Sequence, residues 1–184
     1  MNRKICILYG INEGPGIGKR FESGCRAAGL QVVRNPASAD LIFAHSGGCL
    51  LVPVENRAQK IIMVGIPYNS GRPWLISTAV KVVREGRLYY QEHRMKEWAS
   101  KWVQHIRYAG NIRAGLRMAT RLGIDKPWNS NQPQTIVRNR HDVYCTPEIY
   151  KAHFRGPRTF ISLPGEHDDC WDNPEPYIKL LQLS

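Results

Sequence analysis

Three runs in this chain are continuously apolar past their first residue: Lys4-Ile-Cys-Ile-Leu-Tyr9, Leu41-Ile-Phe-Ala44 and Lys60-Ile-Ile-Met-Val64. A strand without an alternating polar face has nothing to offer water, so it belongs inside a parallel sheet covered on both sides. Gln31–Val33, Gln134–Val137 and Thr159–Leu163 read as further strands. Helical stretches separate them. In the first, Ile17, Phe21, Cys25 and Ala28 share one face and Gly29 supplies the stop. The alternation predicts an α/β fold with a parallel sheet of about six strands and helices on both faces.

The long stretch from Arg72 to Leu122 reads as mostly helical. Met95, Trp98, Trp102 and Ile106 recur at helical spacing, as do Ile112, Leu116 and Ala119. This insertion is expected to form a helical cap at about 72–125, above the sheet and inside a single domain spanning 1–184. Lys126–Pro133 reads as a loop. A last helix is expected from about Asn173 to Leu181, with Pro174 in its first turn.

Composition narrows the function classes. With 42% hydrophobic and 22% charged residues, the chain is globular. No apolar run approaches the ~18 residues of a membrane helix, and the N-terminus reads as a strand, not a signal peptide. Cys6, Cys25, Cys49, Cys145 and Cys170 are odd in number and lack a C-x-x-C pair. That pattern argues against a disulfide framework or zinc knuckle and for a reducing, cytoplasmic setting. The net charge of +11 raises the possibility of an anionic partner without requiring one.

The most informative segment is Asp40-Leu-Ile-Phe-Ala-His-Ser-Gly-Gly-Cys49. A strand runs into Ala44-His45-Ser46-Gly47-Gly48 and then into a short apolar helix, the small-x-Ser-x-small form of a nucleophile elbow. Such a turn strains the serine backbone and projects its Oγ from the carboxyl end of the sheet, where a helix N-terminus favours developing negative charge. Small residues two before and two after the serine avoid clashes. Pro53, seven residues on, must keep the helix short or broken. The alternative is that His-Ser-Gly-Gly is an ordinary turn.

A serine nucleophile needs a base, and the base needs an orienting carboxylate. Strand Gln134–Val137 leads into a loop carrying Asp142, and strand Thr159–Leu163 leads into Pro164-Gly-Glu-His167. Ser46, Asp142 and His167 thus each follow their own strand, in that chain order. Asp168 and Asp169 are expected to be solvated, with either able to replace Asp142 if that residue is misplaced.

In this arrangement the chain resembles the α/β-hydrolase family over nearly its whole length, lacking that family's N-terminal antiparallel pair. In size it is similar to the small serine hydrolases of the retinoblastoma-binding-protein-9 type. Asp142-x-x-Cys-x-Pro-Glu is similar to the family's acid loop and Pro-Gly-x-His167 to its histidine loop. The resemblance implies a serine hydrolase acting on a carboxylic ester, amide or thioester through an acyl-enzyme, with catalytic Ser46, Asp142 and His167 and no cofactor. It implies oxyanion donors at Gly47 and in the Gly10–Asn12 loop, Ile11 before Asn12. Tyr68 and Trp74 are candidate pocket liners.

Other features read differently. Gly14-Pro-Gly-Ile-Gly18-Lys19 suggests a nucleotide loop, but the first glycine of a P-loop falls on Glu13, and Arg20 stands where Ser or Thr is required. A dinucleotide fingerprint fails because its third glycine is Lys19. His45 is expected to be structural, pointing away from Ser46, Cys49 a buried hydrophobe and His141 a surface residue. His93, His105 and His153 lack partners at metal-ligand spacing, so no metal site is expected. Between Lys81 and Arg121 ten basic residues face three acidic ones, a balance of +7. The expected reading is a solvated helix face; the competing one is a non-catalytic binding protein whose basic cap holds nucleic acid or another polyanion.

Overall fold

The computed structural model describes residues 2–10, 13–53, 56–66, 74–109, 128–129, 133–142, 154–155 and 157–183. Strand β1 (Lys4–Leu8) is followed by helix α1 (Lys19–Ala27), β2 (Gln31–Val33) and β3 (Leu41–His45). A 3₁₀ turn (Ser46–Leu51), β4 (Lys60–Val64), α2 (Trp74–Gln91) and α3 (Met95–Ala109) come next. Then follow β5 (Trp128–Asn129), β6 (Gln134–Asn139), β7 (Phe154–Arg155), β8 (Arg158–Leu163), α4 (Asp169–Asp172) and α5 (Glu175–Gln182).

Six strands form one sheet in the order β2-β1-β3-β4-β6-β8, and every pairing in it is parallel. The expected α/β architecture is therefore present. The pleat sorts the core into two layers. Ile5, Ile7, Leu41, Phe43, Ile62, Val64 and Val137 face α1, α4 and α5, meeting Phe21, Cys25, Trp171, Tyr177 and Leu181. Cys6, Ile42, Ala44, Ile61, Met63 and Ile136 face the other way, onto Cys49 of the 3₁₀ turn and the loop residues Ala39, Ala58 and Ile66. All five residues of β3 are buried. Each large side chain so buried contributes roughly 1.5–3 kcal/mol.

Local chemistry explains the boundaries. Helix α1 ends in a Schellman motif: Gly29 sits at φ +79°, its N–H bonds Arg26, and the Leu30 N–H reaches back to Cys25. The expected C-terminal helix is α5, and a further short helix, α4, precedes it. Pro174 caps α5 and Pro176 occupies its first turn, one step from the expected placement. Within the stretch expected to form a cap, α2 and α3 are described, separated at His93 with φ +56°; Ile112, Leu116 and Ala119 lie outside the described residues. Within the segment read as loop, Trp128–Asn129 pairs with Phe154–Arg155 in a two-stranded ladder, a pairing too short to leave a period in the sequence. No described helix is long and apolar enough to cross a membrane.

The topology sets the place of chemistry. From β1 the chain steps to β2 on one side, then crosses back to β3 on the other. In open parallel sheets such a switch leaves a crevice at the carboxyl ends of the two strands. The backbones there approach so closely that side chains are excluded. A Cβ on Gly48 would lie 2.2 Å from the Leu8 carbonyl oxygen, and one on Gly10 would lie 2.8 Å from Ser46 Cβ. Gly48→Ala should therefore force β1 and the elbow apart, costing about 1–3 kcal/mol or more. Urea denaturation should show a lower midpoint with an unchanged slope.

Candidate active site

Ser46 leaves β3 at φ +50°, in the left-handed region that costs a serine roughly 1–3 kcal/mol. Its surroundings impose that conformation: Ala44, His45, Gly47 and Gly48 are all buried, and Gly48 is wedged on β1. The elbow continues as a six-residue 3₁₀ turn instead of an α-helix, ending just before Pro53. A macrodipole is correspondingly small there. Of the expected oxyanion donors, Gly47 is buried beside Ser46; Ile11 and Asn12 lie outside the described residues. Gly10 N–H is already donated to Glu13 Oε2 at 2.7 Å.

The structure brings Asp142 and His167 together. Their Oδ2 and Nδ1 atoms are 2.8 Å apart, with the Asp142 side chain 0% exposed. Asp142 can only accept when ionised, so Nδ1 carries the hydrogen and Nε2 is left to accept a proton. Three features hold this pair. Gly65, at φ +57° just past β4, would place a Cβ 2.9 Å from His167 Cε1 and 3.0 Å from Asp142 Oδ2. Asn139, 0% exposed, donates from Nδ2 to the Glu166 carbonyl at 2.6 Å and accepts from the Tyr177 hydroxyl at 2.7 Å. Gly165, at φ +120°, would drive a Cβ to 2.6 Å from Asp169 Oδ2.

His45 is fully buried and tied on both nitrogens. Nδ1 lies 2.8 Å and 2.9 Å from the two Glu13 oxygens, and Nε2 lies 2.8 Å from the His167 carbonyl. Its ring packs 4.7 Å from that of His167 and 5.1 Å from that of Trp171. Burial alone would lower the imidazole pKa; the facing Cys170 and Glu13 outweigh it and hold it well above its ordinary value. Burial pushes the Cys170 thiol itself up to about 12, so at neutral pH the Glu13 carboxylate is the partner that counts. His45, His167 and Asp168 place ligand atoms within 4.8 Å of one another. A cation there would compete with the bonds from His45 and His167 just described.

Cys49 is buried, its thiol 3.3 Å from the Ala44 carbonyl, and His141 is exposed, both as expected. Asp168 is not solvated: it is 2% exposed, and Lys101 of the cap reaches it at 3.8 Å. Lys101 also contacts Asp172 at 3.2 Å and Glu85 at 3.6 Å. Burial works against this ammonium, but Asp168, Asp172 and Glu85 raise its pKa above the ordinary lysine value. Arg84 Nε pairs with Glu166 at 3.2 Å. Some of the cap's basic charge is thus spent inside the molecule, on the two residues flanking His167. Tyr68 lies outside the described residues, as does the side chain of Trp74.

Sequence reading missed Glu13, Gly65, Arg84, Lys101 and Asn139. For Gly65 a signal existed: a glycine directly after a buried strand, at the level of the elbow. The others act through contacts distant in sequence.

No protein-family model and no curated protein sequence matches this chain. Solved structures do. The enol-lactonase from Burkholderia xenovorans LB400 superposes with a TM-score of 0.66 at 11% identity, over 99% of this chain and 90% of that one. A marine microorganism esterase gives 0.61 at 16% identity, over 100% and 96%. The RedJ thioesterase of prodiginine biosynthesis in Streptomyces coelicolor gives 0.58 at 14%, over 97% and 83%. The chain has the α/β-hydrolase fold.

The cap contacts carry a stability prediction. Lys101→Met should leave the buried Asp168 without its cap cation and lower unfolding free energy by about 3 kcal/mol, measured by denaturant titration at neutral pH.

Proposed function

We propose that this protein is a serine hydrolase that cleaves a carboxylic ester through an acyl-enzyme, with thioester and amide carbonyls open to the same chemistry. One observation carries the reading: a serine at positive φ stands on a strand exit at the topological switch, and a buried Asp–His pair stands at the same end of the sheet. Hydrolytic activity in the neighbours supports it, as analogy.

In this mechanism Ser46 Oγ attacks the carbonyl carbon while His167 Nε2 takes the serine proton. The tetrahedral oxyanion is held by N–H groups of Gly47 and of the Gly10–Asn12 loop, Ile11 being the first choice. Collapse expels the leaving alcohol, which receives the proton from His167. Water then attacks the acyl-enzyme with the same histidine as base, releasing the acid and restoring Ser46. Asp142 fixes the His167 tautomer and stabilises its imidazolium. Neither step calls for a cofactor. Cys6, Cys25, Cys49 and Cys170 are present as thiols, not disulfides, which supports a reducing, cytoplasmic setting.

The rival reading, a non-catalytic binder using the basic cap, is weakened by the pairing of Arg84 and Lys101 onto the body of the protein and of Arg94 onto Glu92 and Glu97. Heparin affinity at physiological salt, lost steeply as salt rises, together with no esterase activity, would favour it.

A fluorophosphonate probe should label Ser46 alone. Ser46→Ala should abolish both labelling and hydrolysis of p-nitrophenyl acetate while keeping the fold, and labelling that survives the substitution overturns the assignment. Asp142→Asn should lower kcat by up to on the order of 10⁴ by stabilising the wrong His167 tautomer, with the melting temperature as a control for folding.

A further inference from the structure

On the serine-hydrolase reading, the loop after β1 supplies an N–H to an oxygen on the reacting carbon. Oxyanion donors act at about 2.7–3.1 Å, so a loop displaced by 1 Å forfeits much of its effect. Gly10 and Glu13, the described residues on either side of the proposed donors, belong to a buried chain of three contacts. Gly10 N–H donates to Glu13 Oε2 at 2.7 Å. The Glu13 carboxylate, its side chain 3% exposed, meets His45 Nδ1 at 2.8 Å. His45 Nε2, facing a carbonyl that can only accept, donates to His167 O at 2.8 Å.

We propose that Glu13 and His45 are positioning residues that clasp Gly10 at the β1 exit, the serine elbow and the histidine loop together. This rests on the serine-hydrolase reading. The three segments belong to different strand exits, and the clasp joins them without passing through the triad's own Asp142–His167 bond. Its partners are adjacent in sequence to the chemistry: Gly10 precedes Ile11, His45 precedes Ser46, and the carbonyl is that of His167 itself. Stability alone is a poor reason for the pair, because a buried ion pair is often no better for folding than an apolar replacement. Position is the better one, since Gly10 already stands against Ser46 with no room for a side chain.

The geometry distinguishes reach from charge. In Glu13→Gln the amide oxygen can still accept from Gly10 N–H, and the amide nitrogen can donate to Nδ1 of a neutral His45 whose Nε2–H stays on the carbonyl. All three contacts survive. In Glu13→Asp the charge survives, but the side chain is one methylene short. In Glu13→Ala the clasp is gone.

The test is p-nitrophenyl acetate hydrolysis, normalised to sites titrated with a fluorophosphonate, alongside thermal melting. Glu13→Ala should lower kcat on the order of 10²-fold, as loss of an oxyanion donor does, with KM changed by no more than about three-fold, since ground-state binding is untouched. Glu13→Asp should behave like Glu13→Ala. Glu13→Gln should restore kcat to within about ten-fold of wild type. A folded Glu13→Ala with wild-type kcat overturns the clasp, as does Glu13→Asp outperforming Glu13→Gln. If Glu13→Ala does not fold, the Gln–Asp comparison decides by itself. Wild-type protein that takes no label at Ser46 and turns over no ester overturns the serine-hydrolase reading, and the clasp with it. An active wild type with indifferent Glu13 variants overturns the clasp alone.

Discussion

The exits of β1 and β3 lie closer together than side chains permit, and the rest of the site is arranged around that contact. Parallel pairing sets Leu8 beside Ala44, so the two chains must diverge at the same level. Gly48 lies against the Leu8 and Tyr9 carbonyls, and Gly10 lies against Ser46. With those positions filled only by hydrogen, the chain leaving β3 turns abruptly enough to put Ser46 at positive φ. The strain is local, but the restraint is not: it is supplied by a different strand, β1, and by the buried layers that hold both strands in register.

A second principle governs the far side of the site. The cap and the histidine loop meet through charge, where sheet and helices α1, α4 and α5 meet through apolar area. Arg84 and Lys101 reach the residues immediately before and after His167. Lys101 does so largely out of water, its side chain 18% exposed, where Coulombic attraction is screened less than at the surface. Some of the cap's +7 balance therefore belongs to an internal pairing whose acidic side sits at residues 166–172.

The fold was legible because its strands are apolar on both faces, a pattern that few arrangements other than a covered parallel sheet accommodate. The elbow was legible because steric exclusion writes itself locally, in Gly47-Gly48 directly after Ser46. Asp142 and His167 were singled out by position, each following a strand, and they lie 2.8 Å apart in the structure. Other features were not. Asp168 looks like a solvated acid beside Asp169 and is buried, because its partner, Lys101, lies far earlier in the chain, on the cap. The 3₁₀ character of the elbow was only half readable from Pro53, which limits length without specifying the hydrogen-bond pattern. Glu13 looks like a defect in a phosphate-loop pattern; its role depends on His45, across an intervening strand, helix and loop.

The bracing of the Asp142 and His167 loops has a consequence for biosynthesis. Asn139 donates to the Glu166 carbonyl and also receives the Tyr177 hydroxyl, and Tyr177 belongs to α5. Chains fold as they emerge, amino end first. The serine elbow needs only β1, β3 and their neighbours, so it can form while the ribosome is still adding the cap. The Asn139 brace on the histidine loop is complete only once α5 docks and supplies the Tyr177 hydroxyl. On the proposed reading, Ser46 can take its strained turn before the brace on the histidine loop is complete, so the order of docking separates the two halves of the site in time.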